Sequence, residues 1–288
     1  MKKDTQKAEN QVIAVLKRLM ENRVAIAGLV IFVLLIVIAV IAPLIAPYDV
    51  EEMDFTRKFA TPSLAHPFGC DEMGYDIFSR ILVGTRYSLA IGLGAVAMSL
   101  VFGLVLGSIS GFCGGKVDNV VMRLLDIFSS IPGMLMSIII SAVLGTGLFN
   151  CVLAISISSM PQYVRILRAS IMGIRNMDYL EAASSLYNCS KLRIIVRHVL
   201  PNALSSLIVT ATMGVAGSIL MAAGLSYVGL GVQPPTPEWG AMLSGARNYL
   251  RDHPHMVIFP GLVIATTVLS LNMLGDGLRD ALDPKLKK

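Results

Sequence analysis

Residues 178–201, with the sequence DYLEAASSLYNCSKLRIIVRHVLP, form a charged segment between two long apolar stretches. Asp178 is a suitable N-cap residue, and Glu181 three positions later completes a capping box, so the pattern predicts a short helix. A turn is expected near Asn188, because Asn accepts turn conformations. Ser190 can cap a second helix. The segment therefore predicts two short, charged helices that project from an apolar body.

The second of these helices is predicted to be amphipathic, with apolar residues at helical spacing and basic residues on the other side. Pro201 follows where a new helix can begin, since proline is tolerated at the first helical position. An apolar face on a charged loop favours a docking element for a partner protein. The alternative is an ordinary loop between two membrane spans. The apolar face comprises Leu192, Ile195, Val196 and Val199.

The composition indicates a membrane protein. Of the 288 residues, 55% are hydrophobic and 15% are charged, with a mean hydropathy of +0.70. A soluble domain carries about 25% charged residues. The net charge of +5 does not indicate a nucleic-acid partner, because the basic residues flank the apolar stretches as the positive-inside rule predicts.

Six apolar stretches predict an all-α integral membrane protein with six transmembrane helices. Residues 24–46 form the first, which is too long for a signal peptide and lacks a clear cleavage site. The acid-rich residues 47–81 are predicted to be extracytoplasmic. Residues 82–280 then form a five-helix core, whose spans are expected at about 82–112, 117–144, 149–166, 201–230 and 256–274.

Both termini are predicted to be cytoplasmic. Basic residues dominate the amino-terminal segment 1–23, occur in the tail 281–288 and follow the fourth span, which also places the loop 169–201 inside. The loop 231–254 then lies outside, where three prolines stiffen it. It contains Trp239, which suits the membrane interface.

Two local patterns describe helix packing. Arg123 and Asp126 are three residues apart in the third span and are predicted to pair on one face, and Pro132 is predicted to kink that span. In the second span, small residues recur every fourth position, which allows another helix backbone to approach closely. These small residues are Ala95, Ser99, Gly103, Gly107 and Gly111.

No catalytic or metal site is predicted. The chain lacks a phosphate loop, a nucleophile elbow and a zinc-protease motif. The four cysteines have neither metal nor disulfide spacing and are interpreted as incidental. They are Cys70, Cys113, Cys151 and Cys189.

The E-A-A pattern of residues 178–201 resembles the cytoplasmic loop of permease subunits in binding-protein-dependent ABC importers. In that family the loop carries a coupling helix that fits a groove on the ATP-hydrolysing subunit. Tyr187 departs from the pattern, since the family usually has glycine there, and tyrosine adopts a positive φ only at a cost. The matching residues are Glu181, Ala182, Ala183, Ile195, Leu200 and Pro201.

Three further motifs resemble the C-type subunit of the dipeptide, oligopeptide and nickel branch of these importers. They are HPFGCDEMGYDIFSRILVGTRYSL at 66–89, GLGVQPPTPEWGAML at 229–243 and NMLGDGLRDALDP at 272–284. In the first, Cys70 and Tyr75 stand where the family more often has threonine and arginine. With the loop, the resemblance extends from about residue 24 to the carboxyl end.

The resemblance implies a type I ABC importer permease fold in the bacterial plasma membrane, surrounded by lipid. It implies a homologous second permease subunit, one or two ABC ATPase subunits and an extracytoplasmic substrate-binding protein as partners. ATP and Mg would be bound by the ATPases, so this chain is expected to hold no cofactor and to be non-catalytic.

The candidate site residues follow from this resemblance. The acids of 47–81 could contact a binding protein or form local salt bridges, and both interpretations stay open. Contact with a binding protein is assigned to Asp71, Asp76 and Trp239. ATPase coupling is assigned to Asp178, Glu181, Ala182, Ala183, Leu192, Ile195, Val196 and Pro201.

Peptides are the expected cargo, and nickel or a metal chelate is the alternative. Met134 and Met136, or His253 and His255, could contact a metal, although methionine commonly fills apolar cores. An alternative of another class is a secondary transporter. That class usually has inverted repeats and mid-membrane ionisable residues, and neither is evident here.

Overall fold

The computed structural model describes residue 15 and residues 17–175 and 200–282. Within these ranges the regular structure is entirely helical, as predicted, with short 3-10 turns at Phe55–Arg57 and Arg247–Tyr249. The helices are α1 (Arg23–Ile45), α2 (Ile77–Cys113), α3 (Gly115–Ser129), α4 (Gly133–Leu144), α5 (Leu148–Arg175), α6 (Leu200–Tyr227), α7 (Trp239–Ala246) and α8 (His255–Leu282).

Four helices are long and apolar enough to cross a membrane, namely α1, α2, the Ser206–Tyr227 part of α6, and α8. The pair α3 and α4 would make a fifth span if counted together. The remaining predicted span, α5, falls short of the others in apolar character. It packs against α2, α4 and α6, so protein surrounds much of its surface and it needs fewer lipid-facing side chains.

The third predicted span is two helices rather than one kinked helix. A break between Ser129 and Gly133 separates α3 from α4, and the two axes differ by 87°. Pro132 is the N-cap residue of α4. Because proline has no N–H and clashes with the preceding turn, it ends a helix as readily as it kinks one.

The second predicted span begins earlier than expected. Its helix α2 starts at Ile77 and not near residue 82, because the carboxylate of Asp76 caps it by accepting a hydrogen bond from the Ser79 N–H. The polar residues of this first turn conceal the helix from a search for apolar stretches. The sixth span is also longer, since α8 continues to Leu282.

The small-residue stripe of α2 packs closely against another helix, as predicted, and that helix is α5. A side chain at Gly103 would lie 2.8 Å from the Tyr163 Cβ, and one at Gly111 would lie 2.9 Å from the Ile171 Cβ. The Ser99 hydroxyl donates to the Ser156 carbonyl at 3.0 Å. Later residues of α2 meet later residues of α5, so the helices are parallel. We call this contact the α2–α5 seam.

The bundle has two ends. At the cap end, residues 47–76 and 228–254, here called the cap, cover the amino ends of α2 and α8. At the loop end, α5 finishes at Arg175 and α6 begins at Leu200. α1 starts and α8 finishes at this same end, where Gly277 packs against Ala25.

Candidate functional site

The loop end carries the segment that the sequence assigns to coupling. Residues 176–199 lie outside the described residues, and with them Asp178, Glu181, Ala182, Ala183, Leu192, Ile195 and Val196. Pro201 lies within the described part of α6. That a helix starts at this residue stays a prediction, because the residues before Leu200 lie outside the described ranges.

Two ion pairs hold α3 against α5 near the loop end. The Arg168 guanidinium donates to Asp118 with an Nη2 to Oδ2 distance of 2.6 Å, and the Ser110 hydroxyl of α2 donates to the same carboxylate. Three helices therefore meet at Asp118.

The second pair joins Arg165 to Asp126 at 2.8 Å, and Arg165 also donates to the Ser129 hydroxyl at 3.0 Å. The prediction that Asp126 pairs with Arg123 is wrong. The guanidinium of Arg165, on the neighbouring helix α5, contacts both Asp126 and Ser129, so the pairing joins two helices and not two turns of α3.

At the cap end, Arg80 joins the two segments of the cap. Its guanidinium donates to the Val50 carbonyl at 2.9 Å and to the Pro235 carbonyl at 3.2 Å. It also lies 4.2 Å from the centre of the Tyr75 ring. One side chain from α2 thus connects residues far apart in the sequence.

Two of the residues assigned to binding-protein contact are buried inside the chain. Asp76 Oδ2 accepts from the Ser79 N–H and hydroxyl at 2.7 Å, and Asp76 Oδ1 lies 2.8 Å from His66 Nδ1. Trp239 is fully buried and donates to the Ile81 carbonyl at 3.1 Å. It therefore does not lie in an interface belt. Asp76 and Trp239 support the cap and present no surface to a partner.

Asp71 is the remaining candidate for this contact. It is half-buried, and its carboxylate accepts from the N–H groups of Met73 and Tyr75 at 2.9 and 3.0 Å. Burial raises the pKa of the Asp71 carboxyl. Local salt bridging, the other interpretation, does occur nearby, since Arg57 pairs with Asp54.

Glu238 is a buried residue that sequence reasoning missed. Its Oε1 accepts from the Ser88 hydroxyl at 3.0 Å and its Oε2 from the Ser226 hydroxyl at 3.2 Å. The same carboxylate caps α7 through the N–H groups of Gly240 and Ala241. It thus joins α2, α6 and α7. Glutamate is not among the preferred N-cap residues, so the sequence carries no signal for this role.

A second missed cluster lies at the start of α2, where His66, Cys70 and Asp76 are all buried. One ligand atom from each lies within 4.8 Å of the other two. Burial, followed by the charge of Asp76, raises the pKa of the Cys70 thiol to about 11. The three residues match no spacing typical of a metal motif, so sequence alone did not connect them.

Family comparison gives two matches that cover most of the chain. Residues 103–288 match the binding-protein-dependent transport system inner membrane component. Residues 11–66 match the N-terminal TM domain of oligopeptide transport permease C. These matches include the amino-terminal span and the loop between α5 and α6.

Similar curated proteins have comparable length. The glutathione transport system permease protein GsiD of Pectobacterium atrosepticum is 44% identical over 272 residues, covering 94% of this chain and 90% of that protein. The di/tripeptide transport system permease protein DppC of Pseudomonas aeruginosa is 45% identical over 272 residues, covering 92% and 89%. The dipeptide transport system permease protein DppC of Alkalihalophilus pseudofirmus is 43% identical over 271 residues, covering 94% and 89%.

A solved structure shares the fold. A chain of the MetNI methionine ABC transporter, in an inward-facing conformation, superposes with a TM-score of 0.56 at 18% identity. The match covers 71% of this chain and 96% of that chain. The family matches favour an importer permease over a secondary transporter. The chain therefore belongs to the binding-protein-dependent transport system inner membrane components, multi-pass proteins of the bacterial inner membrane.

Proposed function

We propose that this chain is a permease subunit of an ATP-driven importer that moves small peptides across the inner membrane. The observation that carries the proposal is similarity over more than 90% of the chain to permeases named for glutathione, dipeptides and tripeptides. Glutathione is itself a tripeptide, so these cargoes share one chemistry. This agreement favours peptides over nickel or a metal chelate.

The loop end is assigned to the cytoplasm and the cap end to the outside. Basic residues in 1–23 and at the end of the chain support this orientation, because positive charge collects on the cytoplasmic face. Residues 176–199 then face the ATPase subunits. Within them Glu181, Ala182, Ala183 and the apolar residues of 192–196 are the proposed contacts, together with Asp178 and Pro201 at the borders.

The partners follow from this orientation. A second permease would complete the translocation path, and the exposed apolar residues of α3, including Val120 and Leu124, suit a neighbouring helix or lipid. One or two ATPases would bind ATP and Mg below the loop end and hydrolyse the nucleotide. A substrate-binding protein would dock at the cap, with Asp71 as a contact.

In this scheme, ATP binding draws the two ATPases together and displaces residues 176–199. α5 continues directly into that segment and contacts α2 along the seam and α3 through two ion pairs. A displacement of the loop therefore moves three helices together and switches the path between inward-open and outward-open. Hydrolysis resets it.

The test is uptake of a labelled dipeptide by cells that lack the chain, complemented with variants. Glu181→Ala should reduce ATP-dependent uptake strongly, while the amount of protein in the membrane stays normal. Glu21→Ala is the matched control, because it removes an exposed acid that lies outside both the cap and residues 176–199. Normal uptake by Glu181→Ala would refute the coupling assignment.

Copurification in mild detergent tests the partners directly. The tagged wild-type chain should recover a second permease and at least one ATPase, and Glu181→Ala should recover less ATPase with the second permease unchanged. Recovery of the chain alone in several detergents would contradict the docking role of residues 176–199.

A further inference from the structure

We propose that the cap holds a Zn²⁺ site built by His66, Cys70 and Asp76. The proposal is independent of cargo, since this ion would be a resident part of the cap. It predicts metal binding by the chain whether or not peptides are transported.

The backbone brings the three residues together through a tight turn. The Gly69 N–H donates to the His66 carbonyl at 2.9 Å, and Gly69 has a φ of 75°, a conformation that favours glycine. The chain then returns, and Cys70 forms an antiparallel bridge with Asp76. Cys70 and Asp76 are therefore neighbours, although five residues separate them.

The ligand atoms are close enough to share an ion. One atom each from the imidazole, the thiol and the carboxylate lies within 4.8 Å of the other two. Zinc bonds of about 2.0–2.3 Å place tetrahedral ligands roughly 3.5 Å apart. Ligand atoms at the 4.8 Å limit have to approach by about 1 Å. His66 Nδ1 and Asp76 Oδ1, now 2.8 Å apart, have to separate slightly if both coordinate, and the ion then replaces their hydrogen bond. All three residues are buried, which shields such an ion from bulk water.

The donor types select the metal. Sulfur and imidazole nitrogen suit zinc, whereas Mg²⁺ and Ca²⁺ prefer sites made of oxygen alone. On binding, the Cys70 thiol would release its proton to water and Sγ would coordinate as the thiolate. Three protein ligands leave the fourth tetrahedral position for a water molecule.

Neighbouring groups already orient the ligands. The Ser79 N–H and hydroxyl both donate to Asp76 Oδ2 and fix that carboxylate. His255 Nε2 lies 3.4 Å from the Cys70 carbonyl oxygen and connects the turn to the start of α8. Such outer hydrogen bonds typically strengthen a metal site.

A competing account gives these residues a structural role without metal. In that account the imidazole of His66 only supports the carboxylate of Asp76, which caps α2. Cys70 would then be a small buried apolar residue. The two accounts differ in what Cys70 does, and the experiment is built on that residue.

The full-length chain, with a tag free of histidine and cysteine, is placed in lipid nanodiscs and incubated with Zn²⁺. Unbound metal is removed by gel filtration, and zinc is counted by mass spectrometry. We expect about one zinc per chain in the wild type. Cys70→Ser and His66→Gln should bind at least about tenfold more weakly. Cys113→Ser, which removes an exposed cysteine of α2, is the matched control and should bind normally.

Replacement of Zn²⁺ by Co²⁺ gives a second readout. The wild type should show thiolate-to-cobalt charge-transfer absorption, and Cys70→Ser should lack it. Wild-type protein that retains no zinc, or Cys70→Ser that retains as much as the wild type, would overturn the proposal. If Cys70→Ser does not fold, Ser79→Ala replaces it. That variant keeps every ligand and should bind about tenfold more weakly, and unchanged affinity would count against the site.

Discussion

The two ends of the bundle are held together by different kinds of polar contact. At the cap end the key groups are buried, and Glu238, Asp76 and the Trp239 N–H have hydrogen-bond partners within the chain. At the loop end, charged pairs are open to solvent to different degrees. The Arg165 and Asp126 side chains are 41% and 66% exposed, and those of Arg168 and Asp118 are 26% and 10% exposed.

This difference determines what each end can do. A buried polar group that loses its partner costs about 1–3 kcal/mol, so the cap favours a single arrangement. An exposed ion pair contributes only about 0–1 kcal/mol, because water replaces the partner. The exposed Arg165–Asp126 contact at the loop end can therefore rearrange at little cost, which suits the end that we assign to ATPase coupling.

The largest effect is expected at Glu238. Glu238→Ala removes the acceptor for four donors on three helices and should lower the free energy of unfolding by about 3 kcal/mol. Thermal unfolding in detergent measures the loss. Glu238→Gln keeps one acceptor oxygen and should lose less. A Glu238→Ala protein as stable as the wild type would remove the contrast between the two ends.

A smaller effect is expected at Asp118 and Arg168. Because this pair is partly buried, Asp118→Asn should cost about 1–2 kcal/mol, between the values for exposed and buried pairs. A double-mutant cycle with Arg168→Gln measures their coupling. A coupling near zero would mean that α3 is held to α5 by apolar contacts alone.

The exposed Arg165–Asp126 pair can be compared with the partly buried Arg168–Asp118 pair at the same end of the bundle. Asp126→Asn should change the free energy of unfolding by less than about 0.5 kcal/mol, since both partners are well solvated. The same unfolding assay applies, with Asp118→Asn as the reference. Equal losses in the two variants would contradict the claim that exposure sets the strength of these pairs.

The smallest effect is a gain at the cap. Burial, followed by the charge of Asp71, raises the pKa of Glu72, and its Oε2 is buried without a hydrogen bond. Ionised Glu72 therefore destabilises the cap above its raised pKa, and this penalty disappears as the pH falls below the ordinary value of 4.5.

Glu72→Gln should accordingly raise stability at pH 7 by a few tenths of a kcal/mol, because solvent screens a half-exposed group. The difference from the wild type should vanish near pH 4. Unfolding curves at the two pH values test this. A gain that persists at low pH would have a cause other than charge.

The sequence predicted features that depend on local patterns. Hydropathy predicted the helical membrane fold, and the spacing of Gly103, Gly107 and Gly111 predicted a close helix contact. Pro132 marked the right position, although the structure has a break between two helices where a kink was predicted. Each of these features has a local physical cause, namely the length of an apolar stretch, the absence of a side chain or the absence of an N–H. The residues that supply the cause lie close together on one helix.

The rest depends on contacts between distant residues. Ser88 and Glu238 are 150 positions apart, and Arg80 meets Pro235 across 155. No residue close to Trp239 in the sequence indicates that Gly84, which has no side chain, leaves space for the indole ring of Trp239. The partner of Asp126 and the meeting of His66 with Asp76 were missed for the same reason, since local spacing does not reveal which surfaces face each other.

The α2–α5 seam has a mechanical consequence. At 37 residues, α2 is about 55 Å long, well beyond the roughly 30 Å of a hydrocarbon core. Because glycines bring the backbone of α2 against α5, the joint has little slack for one helix to slide along the other. We expect α2 and α5 to move as one rigid body, so that a displacement of the backbone at Arg175 produces a displacement of similar size at Ile77.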